Sequence, residues 1–269
     1  MISWIGGKSL ISKWIIPFIP RDIKTYVEPF SGAYWVYLKM ELSEYPNLEN
    51  IVYNDFNDYL VNLFQSAHNP EEFYEFLKTI PSQEKDRFLQ YQKELFVDRI
   101  EYQKPDFSVA AKFSYLACQV WSGIDPGFGK FIDLKGKYKS KFDTFKDKLV
   151  NDKYTKNLKG ITNFENLDFQ DSVKKWDGKD SFFYVDAPYY NTEHYYSNHE
   201  FETKDHERLA NCLKSIEGRF AMSYYYFPQL EEWFPKDQYR WESREYSKAA
   251  MASKGKSQTK ATELLIMNY

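Results

Sequence analysis

The chain has 269 residues, 43% of them hydrophobic and 28% charged, with a net charge of −3, long enough to bury a substantial core in one large domain or in a core carrying an insertion. Its two cysteines, Cys118 and Cys212, stand far apart and imply neither a disulfide framework nor a zinc cluster. No apolar run reaches the roughly eighteen residues of a membrane span, and residues 1–20 lack the basic segment followed by a long apolar one that marks a secretion signal, so none is expected. A cytoplasmic, reducing setting is therefore expected. The four histidines, His68, His194, His199 and His206, form no H-E-x-x-H pattern and read as solvated loop residues, so no metal is expected.

Charge is segregated along the chain. Residues 41–108 carry fourteen acids against six Lys/Arg, residues 130–159 carry ten Lys against four Asp, and residues 236–260 carry seven Lys/Arg against three acids. Basic segments interleaved with Tyr, Phe and Trp suit a phosphate backbone, although solvated Lys-rich loops fit the same composition.

In chain order, Trp4-Ile5-Gly6-Gly7-Lys8-Ser9 leads into an apolar, helical stretch ending near Pro20. A P-loop would need glycine where Ile2 stands, so what remains is a Gly-Gly turn presenting Lys8 beside Trp4. Residues 25–28 read as a strand breaking at Pro29-Phe30-Ser31-Gly32-Ala33, with a helix predicted over 34–42. A second strand, 51–54, ends in Asp55-Phe56-Asn57-Asp58, where an acid can accept hydrogen bonds from ribose hydroxyls or cap a helix. Residues 69–102 are helical around Pro81, and 108–121 form another helix. A Gly-rich loop, 122–130, then enters the Lys-rich tract. Residues 66–154 thus interrupt the βα alternation as an inserted, mainly helical subdomain between core segments 1–65 and 155–269. Beyond it, strands are predicted over 161–169, 181–186 and 219–224, a helix over 203–216, a basic loop over 253–260 and a closing strand over 261–269.

The segment on which the rest converges is Tyr184-Val185-Asp186-Ala187-Pro188-Tyr189-Tyr190. A buried strand delivers a carboxylate, then a Pro-stiffened backbone, then an aromatic plane, to the carboxyl edge of a sheet, where open α/β folds bind ligands. The fold class expected is α/β, a Rossmann-like sheet with an inserted helical subdomain.

These motifs, in this order, resemble the Dam-like DNA adenine N6-specific methyltransferases. Trp4 to Lys8 is similar to the family's W-x-G-G-K, Glu28 to Tyr34 to its E-P-F-x-G-x-G, Asn54 to Asn57 to its acidic turn, Asp186 to Tyr189 to D-P-P-Y, and Thr262 to Ile266 to its closing strand. Two positions depart. Tyr34 replaces the last glycine, and Ala187 replaces the first proline, although Ala187 still precedes Pro188 and is held extended by it.

The resemblance implies a methyltransferase sheet, with residues 66–154 as target-recognition subdomain and S-adenosylmethionine as methyl donor. The cofactor would be held by Trp4, Lys8, Asp55 and Asp186, with Phe30 and Gly32 in the adjoining turn. The catalytic set would be Asp186, Ala187, Pro188 and Tyr189. The Asp186 carboxylate and the Ala187 carbonyl would hold the two hydrogens of adenine's amine, and Tyr189 would stack on a base extruded from duplex DNA. Ser122, Lys130, Lys135, Lys137, Lys254 and Lys256 are the expected DNA contacts. A monomer is expected, with a dimer on DNA left open, and the family's usual GATC site is the default target. Restriction protection, replication control and phage defence fit equally well. Two alternatives share these motifs: a non-catalytic DNA-binding relative, and a methyltransferase acting on RNA.

Overall fold

The structure, a computed structural model, describes residues 2, 4, 7–120, 125–133, 140–191, 201–247 and 260–269. Its frame is a seven-stranded sheet of β1 (Thr25–Glu28), β2 (Asn50–Asn54), β3 (Asn163–Glu165), β4 (Ser181–Val185), β5 (Arg219–Tyr224), β6 (Arg240–Ser247) and β7 (Lys260–Met267), in the spatial order β3-β2-β1-β4-β5-β7-β6. The first five strands run parallel, and β7 is antiparallel between β5 and β6. This is the expected Rossmann-like α/β sheet. The chain builds outward from β1 through β2 to β3, then crosses to β4 and β5. The order therefore reverses between β1 and β4, and a crevice opens beyond the carboxyl ends of those two strands.

Side-chain alternation with period two sorts the strands into two cores. Tyr26, Tyr53, Phe182, Tyr184 and Leu265 face one side; Val27, Val52, Phe183, Val185 and Ile266 face the other. Helices α1 (Ser12–Ile15), α2 (Asp58–Ala67), α3 (Pro70–Lys78), α4 (Lys85–Gln92), α5 (Phe107–Gln119), α6 (Lys141–Leu149) and α7 (Asp152–Gly160) contribute to the first core. Phe73, Phe88, Phe113 and Phe142 join Tyr26 and Tyr53 there in one continuous cluster. Helices α8 (Phe169–Trp176), α9 (Thr203–Ser215) and α10 (Gln229–Trp233) cover the second. Among the described residues no helix is long and apolar enough to cross a membrane.

Several elements differ from expectation. The helix predicted over 34–42 is replaced by turns and two 3-10 pieces, Tyr37–Lys39 and Leu42–Glu44. Tyr34 takes a left-handed φ of 57°, the Glu28 carboxylate accepts the Tyr37 N–H at 3.3 Å, and the Asn157 amide donates to the Tyr37 and Met40 carbonyls at 2.9 and 3.0 Å. Tertiary partners thus take the groups a helix would pair internally. The strand predicted over 161–169 shrinks to Asn163–Glu165. Asn54 draws Leu167 N–H out of the ladder at 3.0 Å, and Asp168 caps α8 through Gln170 N–H at 2.9 Å.

The Lys-rich tract is not all loop. Ser140 and Asn151 cap α6 and α7, and Phe142, Phe145 and Leu149 recur at helical spacing on a buried face. The histidines also depart from the solvated loop expected. His206 is buried on α9 with Nδ1 bonded to the Tyr224 hydroxyl, and His68 meets the Leu158 carbonyl at 3.0 Å. His194 and His199 lie outside the described residues.

Candidate active site

The turn after β1 is pinned to the end of β2. Ser31 N–H donates to the Asn54 carbonyl at 2.9 Å, and Ser31 Oγ receives Asn54 N–H at 3.1 Å. Asp55 then closes the turn, since its Oδ2 accepts Gly32 N–H and its Oδ1 accepts Asn57 N–H, both at 2.8 Å. Asn57, not Asp55, caps α2, through Tyr59 and Leu60 N–H at 3.0 and 3.2 Å. Gly32 adopts φ +50°, and a Cβ there would sit 3.3 Å from Trp4 Cδ1. Glycine is needed for both its backbone and its lack of bulk.

A cavity of about 320 Å³ opens at this turn. Trp4, Lys8, Phe30, Gly32, Asp55 and Asp186, drawn from four separate segments, all line it. Asp168, Phe169, Lys204 and Arg208 line it too, and no motif in the sequence singles them out. Phe30 stacks on Phe169 with centroids 5.2 Å apart, and the Arg208 guanidinium lies 4.1 Å over the other ring, Phe169. Arg208 also forks onto both oxygens of Asp168 at 2.8 and 2.9 Å. Asp168 and Phe169 are hidden in the sequence because the apolar text around them resembles a strand. Glu28, at the end of β1, is 2% exposed and accepts the Tyr26 hydroxyl at 2.6 Å. Burial holds its carboxyl well above the usual range, the nearby Asp186 charge adds to this, and the Tyr26 bond opposes it.

At the end of β4, Asp186 is 17% exposed. Its Oδ1 receives the Lys8 ammonium at 2.6 Å and the Tyr189 hydroxyl at 3.3 Å. Burial pushes the Asp186 carboxyl up to about 6, against the pull of Lys8 and with a further push from Glu263. Glu263, on β7, is fully buried, accepts the Tyr189 hydroxyl and stands 3.5 Å from Lys8 Nζ. A lone acid beside the apolar run from Leu264 to Met267 is the signal that could have found it. Ala187 is buried. The Pro188 carbonyl is held by the Tyr224 hydroxyl at 3.2 Å, which in turn bonds buried His206. Tyr189 is 8% exposed, packed against Tyr224 and Tyr225.

A sequence profile of the D12 class N6 adenine-specific DNA methyltransferases matches residues 4–252. The chain belongs to that family. It is thus an adenine-specific DNA methyltransferase, a transferase whose substrate is DNA. It is also similar to the type II methyltransferase M.CviBI of Paramecium bursaria Chlorella virus NC1A, at 26% identity over 228 residues, covering 82% of this chain and 81% of that protein.

Of the six expected DNA contacts, Lys130 is exposed beside the Asp125 to Gly129 turn, while Ser122, Lys135, Lys137, Lys254 and Lys256 lie outside the described residues. Elsewhere, the ammonium groups of the half-buried Lys39 and Lys148 lie 5.3 and 5.1 Å from the ring centre of buried Trp35. Burial lowers the pKa of Lys39, and the charges of Lys153, Lys13 and Lys148 lower it further. Neighbouring lysines are neutralised locally, with Lys146 on Asp143, Lys156 on Glu41 and Lys159 on Glu71. Trp35 itself lines the cavity.

Proposed function

We propose that this methyltransferase transfers the methyl group of S-adenosylmethionine to the N6 amine of an adenine flipped out of duplex DNA, with Asp186 as the principal acceptor for that amine. The observation that carries this reading is the position of Asp186, on the rim shared by the 320 Å³ cavity and the Pro188-stiffened turn. The cavity volume falls within the roughly 300–1,000 Å³ of small-molecule sites. Its donor set suits the cofactor: an anionic acceptor at Asp55 for ribose hydroxyls, the stacked Phe30 and Phe169 for a purine plane, and the close backbone approach allowed at Gly32. S-adenosylmethionine, when bound, supplies an electrophilic methyl group.

The chain's own residues then do three things. They hold the amine's hydrogens at the Asp186 carboxylate and the Ala187 carbonyl, so that the otherwise delocalised lone pair points at its target. They offer Tyr189 as the plane against the base. They fix the loop from behind through Tyr224 and His206. Positioning of this kind supplies most of the rate. Residues 66–154 serve as the target-recognition subdomain, a protection role in restriction-modification fits the activity, and the setting is cytoplasmic.

Asp55→Ala should weaken S-adenosylmethionine binding by about 1.5–3 kcal/mol, the value of hydrogen bonds to a charged group. Calorimetry reads this directly, and an unchanged affinity removes Asp55 from the cofactor site. The lysines around Trp35 extend the basic surface expected of the DNA side. Replacing Lys39 and Lys148 by Ala should flatten the salt dependence of duplex binding by about one unit of slope for each phosphate no longer neutralised. A slope equal to the parent's would move the duplex elsewhere. The reaction itself is tested by sequencing modified adenines in DNA from a methylation-free host that expresses the chain. Parallel assays on duplex DNA and RNA should show transfer to DNA, and the reading fails if only RNA is methylated.

A further inference from the structure

The Lys8 ammonium occupies an unusual place. It bonds the Asp186 oxygen at 2.6 Å and lies 5.0 Å from the centre of the Tyr189 ring. These are the two groups that an adenine needs, one for its amine and one for its plane, so a cationic N–H donor already sits where the amine's N–H donor would go. The ammonium is also buried, with Lys8 at 6% exposure. A base entering this site must displace it. A buried charge that loses its partner is strongly destabilising unless a second partner is at hand.

Glu263 is that second partner. The β5–β7 register pairs Tyr224 with Leu264, which sets Glu263 at the same sheet edge as Asp186. Its Oε1 is 3.5 Å from Lys8 Nζ, and its Oε2 is buried with no hydrogen-bond partner among the described residues. Tyr189 ties the two acids together, since its hydroxyl reaches both Glu263 and Asp186. A short swing takes the ammonium from one carboxylate to the other without passing through solvent.

We propose that Lys8 fills the amine's seat in the free protein and that Glu263 receives its ammonium when the base enters, which makes Glu263 a positioning residue for Asp186. This rests on the assignment of Asp186 as the acceptor of adenine's amine. No bond is made or broken in the exchange; one hydrogen bond to Asp186 replaces another, and Lys8 keeps its charge. The groups that set the charge at Asp186 are Lys8 from the N-terminal turn, Glu28 on β1, Tyr184 on β4, Tyr189 in the loop, Tyr246 on β6 and Glu263 on β7. Among them Glu263 pushes the Asp186 carboxyl up and Lys8 pulls it down.

The test uses Glu263→Gln, which keeps size and an acceptor for Tyr189 but removes the charge that would receive Lys8. Single-turnover methylation of duplex DNA should slow by roughly tenfold to a hundredfold with little change in KM for DNA. In the free protein, carboxyl NMR of Asp186 should show its midpoint falling below the parent's in a variant whose thermal melt matches the parent's, since loosened packing would lower that midpoint as well. In a Lys8→Met background the further change to Gln should have no effect on the rate. A parent-like rate, an unmoved midpoint, or an equal loss in the Lys8→Met background each overturns the proposal.

Asp186→Ala, run alongside, separates the two levels. If it methylates at the parent rate, the underlying assignment fails; if it is dead while Glu263→Gln is parent-like, only the exchange fails. Should Glu263→Gln not fold, the unmodified chain bound to methylatable duplex gives the answer. Lys8 Nζ is then expected within hydrogen-bond distance of Glu263, and Nζ still on Asp186 would overturn the exchange.

Discussion

Asp186→Ala is expected to abolish methyl transfer, by at least about a thousandfold, because it removes a preorganised acceptor from the reacting amine. The fold should persist, since Asp186 stands at the end of β4 outside the sheet ladder, and thermal melts provide the control. Asp186→Asn should be less damaging, because an amide oxygen still accepts one hydrogen bond. The pH dependence follows from the same group. Its carboxyl is pushed up to about 6, mainly by burial, so the ionised acceptor is present above that value and is lost by protonation as pH falls through it. The single-turnover rate of the parent should therefore drop on the acid side of about pH 6. Parent-like turnover in Asp186→Ala would end the catalytic reading.

Restoring the family's glycine at Tyr34 should harm the protein, although it removes a backbone conformation that disfavours any side chain. Tyr34 has φ 57°, and relief of that geometry is worth about 1–2 kcal/mol. Against this stands a fully buried ring packed on Tyr37, Tyr53 and Phe64 at centroid distances of 4.7, 5.0 and 6.1 Å. Its hydroxyl also donates to the Val52 carbonyl at 3.0 Å. Truncating a buried aromatic costs about 3–5 kcal/mol, so the packing loss exceeds the relief. Tyr34→Gly should lower stability by about 1–4 kcal/mol, or roughly 2–16 °C in Tm for a chain of this size. A Tm at or above the parent's would mean that the ring contributes little to the core.

The same position shows how far local text carries. The departure from glycine is visible in the sequence, and so is the turn that precedes it. What the substitution does is not, because the partners of Tyr34 come from β2 and α2 and from the turn three residues on. Glu263 is a similar case. Its acid in an apolar strand is a local oddity, but its meaning depends on Lys8 and Asp186, and Lys8 and Asp186 themselves lie 178 residues apart.

The strands at 181–185 and 219–224, the turn after β1 and the acidic turn after β2 are written locally. Continuous apolar runs leave a central strand no other way to bury both faces, and Gly, Pro and Asp stop those runs through their own backbone and side-chain chemistry. β6 is not written that way. Its text, Arg240-Trp241-Glu242-Ser243-Arg244-Glu245-Tyr246-Ser247, is mostly polar, and it becomes a strand because β7 offers it a ladder at the sheet's edge. The missing helix over 34–42 has the same cause in reverse, since Glu28 and Asn157 bind backbone groups that the segment would otherwise pair within itself. The motifs already gathered Trp4, Lys8, Phe30, Gly32, Asp55 and Asp186 at one site, but only the tertiary structure decided that Asp168, Phe169, Lys204 and Arg208 share their cavity. The physical reason is that strand order, and with it the crevice where the order reverses, is set by long-range packing of whole elements and not by the preference of any one of them.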